Sequence, residues 1–368
     1  MMFRLKLIFI LWCVLITAVE AQTPLHSQFW VDKLTLNPAL CGDDMGLSLN
    51  GVIRNQWTRI TSSLNTTSFC ADAYLPGPVG TGLGMGLNAQ TNTEGEGRLR
   101  TQKLELGLSG WGALGNTADF SVGIGAGIIG KRITYPDGLV FSDQLDPVIG
   151  AVYPTGYVFP SLETGFRPTV HAGGLARVFL GVDRRRKGPI PFSRYILAGI
   201  SISNISRTRL VFSDNSPNLL PARTTFHLAL NLTNGRSGDH NQCVIQPYVL
   251  HSREGVFRST MVGSRFFWRQ FQWFAAFRNG KVLDLASRDA LVGGVVLAQL
   301  IGNGARDGST ALNIAYSYDF TLNGIGFIST MGTHEISVTY RWNGWHYNNQ
   351  HMKMQGHRQG RKRCPGFF

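Results

Sequence analysis

The chain has 368 residues, of which 44 are glycine, 11 % are aromatic and only 15 % are charged; an average soluble domain carries about 25 % charged residues. Its 35 basic residues against 22 acidic ones give a net charge of +13. No nucleic-acid motif accompanies that charge, so it points away from nucleic acid and toward anionic lipid headgroups or an acidic protein partner.

Residues 1–21 read as a secretory signal peptide. Arg4 and Lys6 form a positive start, Leu7 to Val19 form the apolar stretch, and Ala21 closes the cleavage region before Gln22. The apolar run is shorter than the ~20 residues a helical membrane span requires. Residues 22–44 then form an N-terminal segment expected in the periplasm. No later segment makes a helical span. The most apolar one, Ala290 to Ile301, is broken by Gly293, Gly294 and Gln299. A chain of this kind can cross a membrane only as a closed barrel, in which every backbone group is paired.

From residue 45 onward the apolar period is two. Phe120, Val122, Ile124, Ala126 and Ile128 alternate with serine and glycine; Ile314, Tyr316, Tyr318 and Phe320 alternate with polar or small residues; Ile336, Val338, Tyr340 and Trp342 oppose Glu335, Ser337, Thr339 and Arg341. That alternation predicts strands with one apolar face. The other face is small and polar, and aromatics gather at strand ends, which favours a membrane barrel over a soluble sandwich. The expected fold is an all-β, transmembrane, antiparallel up-and-down β-barrel of about 14 strands over residues 45–342. Its strands fall near 45–54, 66–74, 81–89, 99–110, 119–130, 169–179, 195–203, 223–232, 243–251, 256–266, 271–278, 290–299, 312–320 and 334–342. An even count puts both termini on the periplasmic side. Lys131 to Pro168 is then the longest external loop, whereas Gly181 to Arg194 is long for a periplasmic turn.

Chemical motifs are missing. The chain has no Gly-x-Ser-x-Gly elbow, no His-Glu-x-x-His and no Walker loop. Gly82 to Gly86 and Gly123 to Gly127 read as glycines on a strand face rather than phosphate loops. His227 reads as lumen lining, although a barrel hydrolase acting on lipid is a third, weak alternative. The reading is therefore of a non-enzyme without metal or other cofactor. Cys41, Cys70, Cys243 and Cys364 are too scattered for a disulfide scaffold, and one bridge or several free thiols both remain open. Residues 343–368 extend past the last strand as a basic C-terminal tail. Arg361, Lys362 and Arg363 precede Cys364, Pro365, Gly366, Phe367 and Phe368. This tail reads either as a solvated remnant or as a periplasmic docking peptide steered by charge and anchored by its two phenylalanines.

Several short motifs, spread from residue 28 to the C-terminus, resemble the PorP/SprF family. They are Gln28-Phe29-Trp30, then Leu36-Asn37-Pro38-Ala39 before Gly42, then Ile53-Arg54-Asn55-Gln56-Trp57. Further on come Val140-Phe141-Ser142-Asp143-Gln144, Ala290 to Gly293, Ile314 to Asp319, Gly332-Thr333-His334-Glu335-Ile336-Ser337 and the Cys364-Pro365 tail. The resemblance implies a Bacteroidetes outer-membrane barrel of the type IX secretion system. It implies a partner: a secreted or surface protein with a type IX C-terminal sorting domain, such as an adhesin. Periplasmic components of the secretion system would be further partners. Asn37, Pro38, Arg54, Asn55, Gln56, Trp57, His334, Glu335 and the tail residues Arg361 to Pro365, Phe367 and Phe368 are the motif and partner-binding candidates. The alternative function is a passive diffusion porin.

Overall fold

A computed structural model of the chain describes residues 25–60, 62–78, 80–114, 117–158, 161–180, 194–212, 219–234, 243–268, 271–280, 288–297 and 310–342. The signal peptide and the C-terminal tail, with its candidates Arg361 to Phe368, lie outside the described residues.

Alternation of apolar and small polar residues produces long strands in chain order. They are β1 (Leu47–Gln56), β2 (Leu64–Pro76), β3 (Thr81–Glu94), β4 (Leu99–Leu114) and β5 (Ala118–Ile133). A small hairpin, β6 (Leu145–Asp146) and β7 (Gly150–Ala151), interrupts the following loop. The series resumes with β8 (Arg167–Leu180), β9 (Arg194–Ser203), β10 (Arg223–Asn234), β11 (Cys243–Glu254) and β12 (Phe257–Trp268). It ends with β13 (Phe271–Asn279), β14 (Arg288–Leu297), β15 (Thr310–Thr321) and β16 (Thr333–Trp342). All except β6 and β7 join one closed barrel of 14 strands, each antiparallel to its neighbours in sequence, with β1 paired to β16 at the seam. Among the described residues no helix is long and apolar enough to cross a membrane. Among the described residues Cys41, Cys70 and Cys243 are free thiols.

The period of two sorts the side chains as expected. Val122, Ile124, Leu106, Ile336 and Val338 are exposed on the outer wall, while Ser121, Glu105, Glu335 and Ser337 are buried inside. The outer face is the apolar one, the reverse of a soluble sandwich. Aromatics cluster at both edges of this face. Tyr318 and His334 meet edge to face at 5.0 Å and Phe320 stacks on Phe327 at 4.2 Å at one edge; Trp268 and Trp273 lie 6.5 Å apart at the other.

The N-terminal segment departs from expectation. It was expected in the periplasm, yet residues 26–44 are buried inside the barrel. It crosses the lumen from Ser27, beside the upper ends of β1 and β16, to Asp44, beside the lower end of β16. Within it lie one helical turn, α1 (Lys33–Leu36), capped by Asp32, and a 3-10 turn over Pro38–Leu40. The physical reason is the size of the barrel. Eight strands enclose a space that side chains alone can fill, and 16–18 leave an open channel. Fourteen strands leave room that this segment occupies.

Candidate functional site: the occupied lumen

A polypeptide threaded through a barrel must pair its own backbone groups, because little water is left to do so. The wall supplies the partners. Ser201 Oγ donates to the Leu36 carbonyl at 2.6 Å, Ser121 Oγ to that of Ala39 at 2.8 Å, and Ser109 Oγ and Trp111 Nε1 both reach the Cys41 carbonyl at 2.7 Å. Arg223 Nη2 donates to the Thr35 carbonyl at 2.7 Å. These hydroxyls explain the serines on the polar strand faces. The glycines on those faces have a steric cause. A Cβ on Gly123 would lie 2.3 Å from the Ala39 nitrogen, and one on Gly84 would lie 2.0 Å from the Cys41 oxygen. Only glycine lets the segment approach so closely.

Two clusters of charge hold the segment. The upper one gathers motifs that are far apart in sequence. Arg54 on β1 donates from Nη1 to Glu335 Oε2 on β16 at 2.8 Å and from Nη2 to Asp319 Oδ2 on β15 at 2.9 Å. Glu335 in turn accepts the backbone N–H groups of Ser27 at 2.9 Å and Gln28 at 2.7 Å. The Gln28 side chain donates to Ser317 Oγ at 3.0 Å and to the Glu335 carbonyl at 3.2 Å, and accepts from Ser337. Arg278 bridges Asp319 and Asp289. The lower cluster pairs Lys33 with Asp44 and Asp72, Arg341 with Asp44, and Arg177 with Asp43.

Between them sits an aromatic anchor. Trp30 packs edge to face on Phe274 at 4.8 Å and under the Arg265 guanidinium at 4.3 Å, while Phe29 packs on Tyr248 at 5.1 Å. Beside the anchor lies a cavity of about 40 Å³, lined in part by Trp30, Arg265, Ser337 and Arg341.

The structure brings most of the sequence-derived candidates into this one arrangement. Asn37 accepts from Ala39 N, donates to the carbonyls of Gly174 and Ile200, and lies 3.2 Å from His227 Nε2. Pro38 opens the 3-10 turn at a position where no backbone donor is needed. Arg54, Asn55 and Gln56 stand opposite Glu335, His334 and Thr333 across the seam, so two motifs at opposite ends of the chain align the closing ladder. Trp57 takes a positive φ of 61° just past β1, and its N–H donates to the Gly332 carbonyl. His334 and Asn55, opposite each other, are the exceptions: by strand parity they face outward, with His334 Nδ1 2.9 Å from the Tyr316 hydroxyl. The third motif lies elsewhere again. In the loop after β5, Gln144 accepts the Phe141 N–H, Asp143 accepts from Thr155 and from the Gly156 N–H, and Phe141 stacks on Tyr157 at 4.9 Å. Those contacts fold the loop.

Asp319, the last residue of the Ile314 to Asp319 motif, belongs to this network, as do Arg278, Arg177 and Lys33, which were not singled out from the sequence. For Arg278 and Arg177 a basic residue at a lumen-facing strand position was the available signal; Lys33, in α1, offered none. Among the described residues no His, Cys, Asp or Glu cluster is arranged to hold a metal.

The family model described as "Type IX secretion system membrane protein PorP/SprF" matches residues 18–340. Among curated proteins no sequence match to this chain is found. Solved structures of similar fold include CdiB from Acinetobacter baumannii, at a TM-score of 0.42 and 10 % identity over 80 % of this chain. The chain spans 60 % of that protein's length. The Pseudomonas putida toluene transporter TodX gives 0.42 and 9 % over 87 % of this chain and 95 % of its own. The Ralstonia pickettii toluene transporter TbuX gives 0.41 and 12 % over 84 % and 92 %.

Proposed function

The chain belongs to the PorP/SprF family of type IX secretion system membrane proteins, and we propose that it sits in the outer membrane as a plugged barrel supporting secretion or surface anchoring of one partner with a type IX sorting domain. The observation that carries this reading is the filled lumen. Among the described residues, 26–44 thread through the barrel and occupy its lumen, which speaks against a wide aqueous path for passive diffusion. The work then falls to the two ends of the barrel.

In this reading both termini face the periplasm, and the loops at the opposite end face outside. The loop between β5 and β8 suits partner contact there. Asp146 accepts the N–H groups of Val148 and Ile149 and fixes the hairpin tip. That tip holds Val148 at 92 % and Ile149 at 74 % exposure, an apolar surface already ordered before any partner arrives. The tail with Arg361, Lys362, Arg363, Phe367 and Phe368 would engage periplasmic components of the secretion system.

The test is surface display of the cognate secreted protein in cells lacking this chain and complemented with variants. Loss of display without loss of other outer-membrane barrels, restored by the full chain, is expected. Removing residues 353–368 should leave barrel levels unchanged and reduce display. Normal display in cells that lack the chain altogether would end this reading.

A further inference from the structure

The outer wall carries a charge pattern that the lumen does not explain. In the ladder of β4 with β5, Arg100 stands directly opposite Arg132. In the ladder of β11 with β12, Arg253 stands directly opposite Arg258. All four are exposed, and by strand parity they share the outward face with Leu104, Ile128, Ile245 and Val262. Like charges directly opposite on paired strands are destabilising, since the Cβ atoms are only about 5 Å apart. Two such pairs at the same end of one barrel call for an anion between the partners.

The two pairs also sit at one depth. Moving toward the membrane, Arg100 and Arg132 are followed by Gln102 opposite Gly130, then by Leu104 opposite Ile128. Arg253 and Arg258 are followed by His251 opposite Thr260, then by Val249 opposite Val262. In both ladders the arginines stand four residues above the first apolar pair. At about 3.3 Å per residue that distance is on the order of 10 Å, the level of lipid headgroups rather than hydrocarbon. Among the described residues none of the four makes an ion pair. Glu163 meets Arg132 only through an isolated backbone bridge. Arg98 and Arg207 add exposed charge at the same end.

We infer that Arg100 with Arg132, and Arg253 with Arg258, are two clamps for phosphate groups of lipopolysaccharide in the outer leaflet. One phosphate lies between each pair of guanidinium groups, whose planar forks match its oxygens. The clamps face sideways from the wall, just above the apolar belt, where a lipid headgroup is found and a protein bound on the barrel axis is not. This inference rests on the reading that the end remote from the termini faces outside.

The experiment heats the full chain in neutral detergent and reads the midpoint at which the compact barrel band converts to the unfolded one. Rough lipopolysaccharide, its dephosphorylated form and phosphatidylglycerol are each added. Lipopolysaccharide should raise the midpoint, and the other two should not. The variant R100Q/R132Q/R253Q/R258Q should bind lipopolysaccharide about tenfold more weakly or worse and lose the rise. Without lipid its midpoint should equal or exceed that of the parent, because the repulsion is gone. As a second variant, R132E/R258E turns each like pair into an opposite pair and should be more heat-resistant without lipid yet unresponsive to it. An unchanged response in the glutamine variant, an equal response to phosphatidylglycerol, or a glutamine variant weaker without lipid would overturn the clamps. Labelling a V148C variant on intact cells reads the orientation separately. If V148C is not labelled, the orientation and the lipopolysaccharide assignment fall together. If it is labelled and the lipid response is absent, only the clamps fall.

Discussion

Replacing Arg54 with alanine would strip Glu335, buried inside the lumen, of its guanidinium partner and leave Asp319 with Arg278 alone. Removing one partner of a buried pair costs about 3–5 kcal/mol, because the remaining charge is left uncompensated. We expect R54A to lower the heat-modification midpoint clearly, and R54K to lower it less, since lysine keeps the charge but loses the fork. An R54A barrel as heat-resistant as the parent would show that the network does not hold the seam. Parity gives a second test at this scale. Val338 faces outward at 43 % exposure and Thr339 faces the lumen at 8 %. Arginine at 338 should cost about 2–4 kcal/mol at mid-bilayer, read as reduced outer-membrane assembly. Arginine at 339, on the polar lumen face beside the cavity it lines, should be tolerated better, although Arg341 and Arg265 lie close. Residue parity was legible in the sequence because a strand has a period of two. The partners of Arg54 were not, because Glu335 lies 281 positions away and only the closure of the barrel brings them together.

At the scale of elements, twelve of the 14 barrel strands were legible from alternation, with ends displaced by a few residues. β11 and β14 alternate poorly in sequence yet form full strands, held by well-paired neighbours on both sides. The lumen segment was not legible as such. Its sequence is mixed in polarity, as a periplasmic linker would be, because what it packs against is a polar wall. The small faces of β3 and β5 were the available signal: glycine and serine on a lumen face mark a place where another backbone comes close. The loop after β5 offers a pH test. The Gly156 N–H and the Thr155 hydroxyl hold the Asp143 carboxyl below the usual carboxylate range. A depressed folded value means that the stabilisation is fully present above the ordinary carboxylate pKa of about 4 and is lost as pH falls through the lower folded value. Resistance of this loop to limited proteolysis should therefore hold from neutral pH to about pH 4 and fall only below it. D143N should weaken it at neutral pH. Loss of resistance already near pH 6 would assign the loop's order to other groups.

At the scale of the molecule, a closed ladder with no free edge and a lumen packed with paired charges predicts a barrel that requires detergent and stays compact in cold denaturing detergent until heated. What the chain does as a whole follows from whether its lumen is shut. The most direct measurement is ion conductance in planar lipid bilayers, comparing the full chain with F29A/W30A. That variant removes the aromatic anchor of the lumen segment and leaves every ladder hydrogen bond in place. The plugged-barrel account predicts that the full chain is silent, and that F29A/W30A, assembled to the same level, shows stepwise openings as its segment loosens. A steady porin-like conductance from the unaltered chain would contradict it.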